Sequence, residues 1–390
     1  MNVIKIVSIT IIVVSGIIIW VLYSFLSSLK PTLEKKLPPH KFDAIRSLSQ
    51  PIVTTQMHPM LIAEADEIGY TNVNGPSVIR VPDWIEDPLG QYYLYFAHHK
   101  GTFLRLAYAD TLTGPWTISD HHILPLSTSG FATEAKDTDT FKTLRKHNSW
   151  SEIIALYDVG SKYQQAYKQR TKKEVITTTP TTPHVASPDV IVDEINKQIR
   201  LYYHGVVEGR LQKSKVALSS DGINFNPLPD IITLPYVRMF RYRNAYYGLA
   251  MPGHLYRSKD GLSDFEVRQR WLFSTDHRHH TLYLRGNELY VFYTVVGDAP
   301  ESIKYCSIDL SPTDWNDWKA KQGIDLLSPQ LDWEGANEEN LPSMRGEVGF
   351  KVNQLRDPAF FEDLDGQQYL FYAGGGEQAI GLAKLTISNR

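Results

Sequence analysis

Arg356-Asp357-Pro358-Ala359-Phe360-Phe361 opens a three-strand run whose order returns four times earlier in the chain. The apolar strand is followed by a turn, by the Tyr-rich Gln368-Tyr369-Leu370-Phe371-Tyr372, and by Ile380-Gly381-Leu382-Ala383. Further back, His280-Thr281-Leu282-Tyr283 leads to Glu288-Leu289-Tyr290-Val291-Phe292-Tyr293, and Val237-Arg238-Met239-Phe240 leads to Ala245-Tyr246-Tyr247-Gly248-Leu249. Pro188-Asp189-Val190-Ile191 precedes Ile199-Arg200-Leu201-Tyr202-Tyr203, and Pro76-Ser77-Val78-Ile79 precedes Gln91-Tyr92-Tyr93-Leu94-Tyr95-Phe96. A further strand, often aromatic, closes several copies, as at Gly114-Pro115-Trp116 and near Trp315 and Trp318. Four-strand units spaced by roughly 40–50 residues are the blades of a β-propeller. The expected fold is all-β, a five-bladed β-propeller; a twisted sandwich is the alternative. The fifth copy ends after three strands, so the other end of the chain must supply a fourth, and residues 51–63 are placed to do so.

Ahead of the repeats, Ile6 to Leu26 carries no charge. An apolar run of roughly 20 residues is long enough to cross a bilayer as a helix. The expectation is an uncleaved anchor at residues 1–30, a Pro-, Ser- and Lys-rich linker at 31–50, and the propeller at 51–390. The partners are then a lipid bilayer, through residues 6–26, and whatever the propeller binds. A single-pass membrane protein with its propeller outside the cytoplasm is expected, although Lys30, Lys35, Lys36 and Lys41 after the segment favour the opposite orientation. Two insertions break the repeat, at about 119–183 and 319–353, and insertions between blades fall on the rims. The formal net charge of −3 argues against nucleic acid as a partner. Cys306 is the only cysteine, which rules out an internal disulfide framework and a thiolate zinc site.

The blade starts Asn74-Gly75-Pro76, Ser187-Pro188-Asp189 and Arg356-Asp357-Pro358, each followed by an apolar and then a Tyr-rich strand, resemble the five-bladed glycoside hydrolases. These are the arabinanase-like family 43 and the invertase-like family 32. The resemblance covers roughly residues 74–390. It implies a funnel lined by the first strand of each blade, a carbohydrate ligand and hydrolysis of a glycosidic bond by acidic residues at the blade starts. This sequence departs from that pattern. Asn74-Gly75 and Ser187 stand where an Asp is usual, His279-His280 opens the fourth copy, and Asp357 alone directly precedes a blade-start proline.

Asp357 is therefore the first catalytic candidate, with Arg356 as its charge partner; a salt bridge between blades is the competing reading. Glycosidic cleavage needs a second acid–base group at about 5–5.5 Å for retention or about 6.5–9.5 Å for inversion. Glu347, Asp189 and His280 are the further catalytic candidates, with Glu334 and Glu338 as other options. An imidazole can act as proton donor where carboxylates are missing. One of His279 and His280 is expected to face the funnel, where it could hold a water or a metal ion; no other cofactor is implied. Asn74, His99, Ser187, Arg238, His254, His279 and Arg356 are the substrate-binding candidates, Arg238 because its planar fork suits a carboxylate or sulfate on an acidic sugar. Asp221-Gly222 and Asp260-Gly261 read as hairpin turns. The functional expectation is a glycoside hydrolase-like protein acting on a carbohydrate; the rivals are a non-catalytic glycan-binding propeller and a protein-interaction propeller.

Overall fold

Tyr92, Leu94 and Phe96 pack into one apolar core while Tyr93, Tyr95 and Ala97, on the opposite face of the same strand, pack into another. A strand buried on both faces belongs to a sheet sandwiched between two others, which is the situation of a propeller blade. The computed structural model describes residues 31–54, 56–58, 61, 72–99, 101–134, 182–207 and 211–389. The apolar segment 6–26 and most of the insertion at 119–183 lie outside the described residues. Among the described residues no helix is long and apolar enough to cross a membrane.

Two N-terminal strands, β1 (His40–Arg46) and β2 (Val53–Thr54), come first. Blade I holds β3 (Asn74–Arg80), β4 (Tyr92–Ala97), β5 (Arg105–Ala109) and β6 (Thr117–Ile118). Blade II holds β7 (Val185–Asp193), β8 (Gln198–Val207), β9 (Leu211–Ser219) and β10 (Asn226–Pro227). Blade III holds β11 (Arg238–Tyr242), β12 (Ala245–Ala250), β13 (His254–Ser258) and β14 (Glu266–Val267). Blade IV holds β15 (His277–Arg285), β16 (Glu288–Val295), β17 (Ile303–Asp309) and β18 (Ile324–Leu327). Blade V holds β19 (Arg356–Glu362), β20 (Gln368–Gly374) and β21 (Ala379–Asn389). Each blade is an antiparallel meander, and there are five such sheets. Five apolar cores lie between successive blades, joining I to II, II to III, III to IV, IV to V and V to I. The sandwich alternative is thereby set aside.

Ring closure corrects the domain boundaries. The fourth strand of blade V is β1, from the segment read as a linker, paired with β21 in continuous register from His40↔Asn389 to Arg46↔Ala383. Residues 51–63 contribute only the two-residue β2. Phe42 explains the choice: it is buried among Tyr290, Phe292 and Tyr305 of blade IV. Arg46 then docks on Glu334, which also accepts the Tyr372 hydroxyl and the backbone N–H groups of Gln330 and Leu331. Glu334, a catalytic option on sequence, is a fully buried closure latch. The insertion at 319–353 also starts too early, because β18 within it completes blade IV. Trp315 and Trp318 do not form that strand; they pack into the core between blades III and IV.

Equivalent positions on the inner strands tie blade to blade. Ser77 Oγ accepts the N–H of Val190 at 2.9 Å, Asp189 Oδ2 that of Met239 at 2.8 Å, and Thr281 Oγ1 that of Phe360 at 3.0 Å. Each side chain thus satisfies a backbone donor of the next blade, and Asp189 does so from a position equivalent to Ser77 and Thr281. Its assignment as a catalytic acid is corrected to an inter-blade latch. Asp189→Ala leaves the Met239 N–H buried without an acceptor and is expected to cost about 1–3 kcal/mol of stability. Asp189→Asn keeps an acceptor oxygen and should melt close to the wild type. Thermal unfolding of the pair checks this; equal losses for Ala and Asn would remove the latch.

Candidate active site

Within the first three residues of four inner strands, and two residues ahead of β11, stands a residue in the left-handed backbone region: Gly75 (φ 57°), Ser187 (51°), Tyr236 (58°), His279 (47°) and Asp357 (48°). In blades I, II, IV and V the pairing register slips at this point, between Asn74 and Ser77, Ala186 and Asp189, Arg278 and Thr281, and Arg356 and Ala359. Such a bulge takes one residue out of the ladder and re-aims its side chain. Here the five residues converge on the propeller axis. A Cβ on Gly75 would lie 3.1 Å from Ser187 Cα. The Tyr236 hydroxyl donates to Asp357 Oδ1 at 2.8 Å, the Tyr236 and His279 rings are 5.4 Å apart, and His279 Nε2 lies 3.8 Å from Asp357 Oδ1. Four non-glycine residues hold a conformation that costs roughly 1–2 kcal/mol apiece, a concentration of strain that marks functional sites.

Asp357 is 2% exposed, and its Oδ2 has no hydrogen-bond partner among the described residues. Burial, reinforced by the charge of Glu377, pushes its pKa up to about 6. Glu377 itself stays ionised: burial is outweighed by His99 and Arg356, which hold its pKa far below the usual range. Glu377 accepts from His99 Nδ1 at 2.7 Å, Asn72 Nδ2 at 2.5 Å and Arg356 Nη1 at 2.9 Å. A carboxylate on Nδ1 orients an imidazole and leaves Nε2 as its working atom. His99 is a quarter exposed, and burial, which lowers its basicity, is outweighed by the Glu377 charge and hydrogen bond, so its pKa is raised.

Behind this pair runs a buried ion network. Glu301, fully buried, accepts from Arg278 at 2.8 and 2.5 Å and lies 3.0 Å from Arg356 Nε. Arg356 also donates to Gln354 Oε1 and to the Gly346 carbonyl. The expected pairing of Arg356 with Asp357 is therefore corrected: Arg356 is committed to Glu301 and Glu377 and acts on Asp357 through its charge alone. With no guanidinium of its own, Asp357 is free to hold a raised pKa.

The other candidates separate cleanly. Asn74 stands beside His99 and Asn72, with its Nδ2 2.8 Å from His99 Nδ1 and 2.7 Å from Asn72 Oδ1. Ser187 and His279 are on the axis. His279 is neutral, because burial and the charges of Arg278 and Arg356 hold its pKa well below the usual value, so it is no proton donor in the imidazolium form. His280 faces the blade III–IV interface, bonded to the Leu249 carbonyl and His277, with its pKa lowered by burial to about 3. Its catalytic assignment is corrected. Arg238 lies one layer below the ring, donating to the Ser187 and Pro188 carbonyls, its guanidinium 4.4 Å from the Tyr236 ring. His254 packs against Trp271 within blade III, and no hydrogen bond or ion pair joins it to the Asp357 cluster among the described residues. Glu347 is buried on the strap between blades IV and V, and its charge reaches His99 and His184. Among the described residues no group of three or more His, Cys, Asp or Glu is arranged to hold a metal ion.

Sequence reasoning missed Tyr236, Glu301 and Glu377. Glu377 had a signal in Gly374-Gly375-Gly376, a run that turns the β20–β21 hairpin in left-handed geometry at Gly375 and Gly376 and sends the next side chain inward. Tyr236 had one in its place just before the Val237 blade start, equivalent to Ser187, His279 and Asp357; Glu301 had none, because it sits in no repeated motif.

No family model matches the sequence. The chain is 31% identical over 342 residues, 80% of its length and 83% of the other's, to the uncharacterized protein R118 of Acanthamoeba polyphaga mimivirus. Among solved structures, the GH43_1 enzyme from Xanthomonas citri complexed with xylotriose is 12% identical with a TM-score of 0.49, covering 87% of this chain and 88% of that one. The endo-1,4-beta-xylanase from Bacteroides thetaiotaomicron is 14% identical with a TM-score of 0.48, covering 82% and 96%.

Proposed function

The chain belongs to one family with protein R118 of Acanthamoeba polyphaga mimivirus, and for this chain we propose acid–base cleavage of a glycosidic bond in the axial funnel. The observation that carries the reading is the buried Asp357 carboxyl, with one oxygen unpartnered and its pKa at about 6, beside a His99 oriented by Glu377. Two groups whose environments push their pKa values toward neutrality are the usual makings of an acid–base pair. Above pH 6 Asp357 is ionised and takes a proton from the attacking water. His99, whose basicity the Glu377 charge and hydrogen bond raise, gives one from Nε2 to the departing glycosidic oxygen. Glu347, buried at the mouth, is the second candidate donor.

The full chain should be screened for hydrolysis against a panel of poly- and oligosaccharides, and the products of any positive followed by mass. His99→Gln is expected to lower kcat/KM on an unactivated glycoside by about 10²–10⁴-fold. The loss should shrink sharply on an aryl glycoside whose leaving group needs no proton. An equal loss on both substrates would take the donor role from His99. A second reading, glycan binding without cleavage, is favoured by the commitment of Glu301 and Glu377 to ion pairs; binding on a glycan array with no hydrolysis product would establish it.

The same proposal includes a tether: residues 6–26 anchor the chain in a bilayer, motivated by the charge-free apolar run, with the propeller outside the cytoplasm, motivated by the extracytoplasmic place of most polymeric glycans. A reporter that functions only in the cytoplasm, fused at the C-terminus, should be silent; activity would reverse the orientation.

A further inference from the structure

Beneath the ring of axial residues lies a cavity of about 150 Å³ bounded by the inner strands of all five blades. Its polar wall comes from equivalent positions, two residues after each left-handed residue: Ser77, Asp189, Arg238 and Thr281, with Ala359 at the fifth. Their hydrogen bonds leave an imbalance. The Ser77 and Thr281 oxygens each accept a backbone N–H from the neighbouring blade, and their own hydroxyl protons find no protein acceptor among the described residues. Arg238 is 2% exposed and uses Nη1 on two carbonyls, while its Nη2 is buried without a partner. Asp189 offers the one carboxyl. One of its oxygens is taken by the Met239 N–H, and the charge of Arg238 acts on it. A buried guanidinium with an unused N–H edge is destabilising unless something accepts from it. Ala359 leaves the fifth position open, where an acceptor could have stood.

We propose that this axial cavity is a binding site for a small monovalent anion of chloride size, held by Arg238 Nη2 and the hydroxyls of Ser77 and Thr281. The site is separate from Asp357 and His99 and does not depend on the proposed hydrolysis. Asp189 is its titrating wall. The charged or titratable groups facing it are Arg238 of β11 and the Tyr202 phenol of β8, and among the described residues no other charged side chain lines the cavity. Burial raises the Asp189 pKa against the pull of Arg238. A protonated Asp189 removes a negative neighbour and adds a donor, so the anion binds more tightly as pH falls.

The full chain is melted in sodium chloride and in sodium gluconate of equal ionic strength, gluconate being too large to enter, and crystals are soaked in sodium bromide. Chloride at about tenfold its Kd should raise Tm by about 2 °C over gluconate, and by more as the pH is lowered. Bromide should give an anomalous peak within hydrogen-bonding distance of Arg238 Nη2. Thr281→Val keeps the shape and removes one donor, together with the acceptor for the Phe360 N–H, and should weaken the chloride effect by about tenfold in apparent affinity, whatever it does to Tm in gluconate. Ser77→Ala is a second variant with the same expected direction. Water density and no anomalous signal in the cavity would overturn the proposal, as would identical Tm values in the two salts or a chloride effect unchanged in both variants.

Discussion

Asp357→Asn is expected to lower turnover by about 10²–10⁴-fold, the usual cost of losing a general base, while making the folded protein more stable at pH 8. Asp357 has a higher pKa in the fold, about 6, than the 3.8 of a free aspartate. Its contribution to stability is therefore fully present below pH about 4 and is lost as pH rises through about 6. The shift corresponds to about 3 kcal/mol at most, reduced in the variant by the new amide N–H that takes the place of the unpartnered Oδ2. Asn keeps an oxygen for the Tyr236 hydroxyl. The difference in Tm between variant and wild type should thus be small at pH 4 and grow steadily in favour of Asn up to pH 7–8. Had Asp357 been the salt-bridge partner of Arg356, the variant would be the less stable protein at neutral pH. Melting curves and turnover measured across pH on one preparation decide between these outcomes. Undiminished turnover on an identified substrate would falsify the base assignment.

The second large effect is on folding. Glu301 is fully buried and neutralises two fully buried guanidiniums, Arg278 and Arg356. Removing one partner of a buried ion network leaves uncompensated charge and typically costs about 3–5 kcal/mol. Glu301→Ala is expected to lower Tm by about 4–7 °C and to reduce the yield of folded protein. Glu301→Gln keeps acceptor capacity for one guanidinium and should fall between. Calorimetry on the three proteins checks the order; a Tm within about 2 °C of wild type for the alanine variant would show that Arg278 and Arg356 are satisfied by Gln354, Glu377 and the Met344 and Gly346 carbonyls alone. The Arg278 bond to the Met344 carbonyl and the Arg356 bond to the Gly346 carbonyl also pin the strap that carries Glu347, so the same variants should loosen the mouth of the funnel.

The repeat was legible because a propeller blade writes itself locally. Each blade is a meander of adjacent strands with tight turns, so its pattern of apolar start, Tyr-rich second strand and small-residue third strand is contiguous in the chain. The axial residues were legible for the same reason: Gly75, Ser187, Tyr236, His279 and Asp357 each stand immediately before a blade start that the pattern had located. Asp357 could be singled out from the Asp-Pro pair alone. Ring closure was not legible in this way. The alternation in His40–Arg46 is weak and charges at Lys41, Asp43 and Arg46 interrupt it, and only the buried seat for Phe42 between blades explains why it, and not residues 51–63, completes blade V.

Sequence by itself determined the number of blades, the inner strand of each and the residues that meet on the axis, because these follow from short-range periodicity and turn chemistry. Tertiary structure alone decided which charges face one another. Asp189 and Asp357 both flank a blade-start proline, yet a shift of two residues past the bulge sends Asp189 to a neighbour's backbone and leaves Asp357 on the axis. Arg356 adjoins Asp357 in the chain, yet alternation carries its guanidinium away to Glu301 and Glu377. Glu377 and His99, 278 residues apart, form their pair only because the ring brings blade V back against blade I. Proton affinities depend on burial and on charges within a few ångströms, and those distances are set by the closure of the ring.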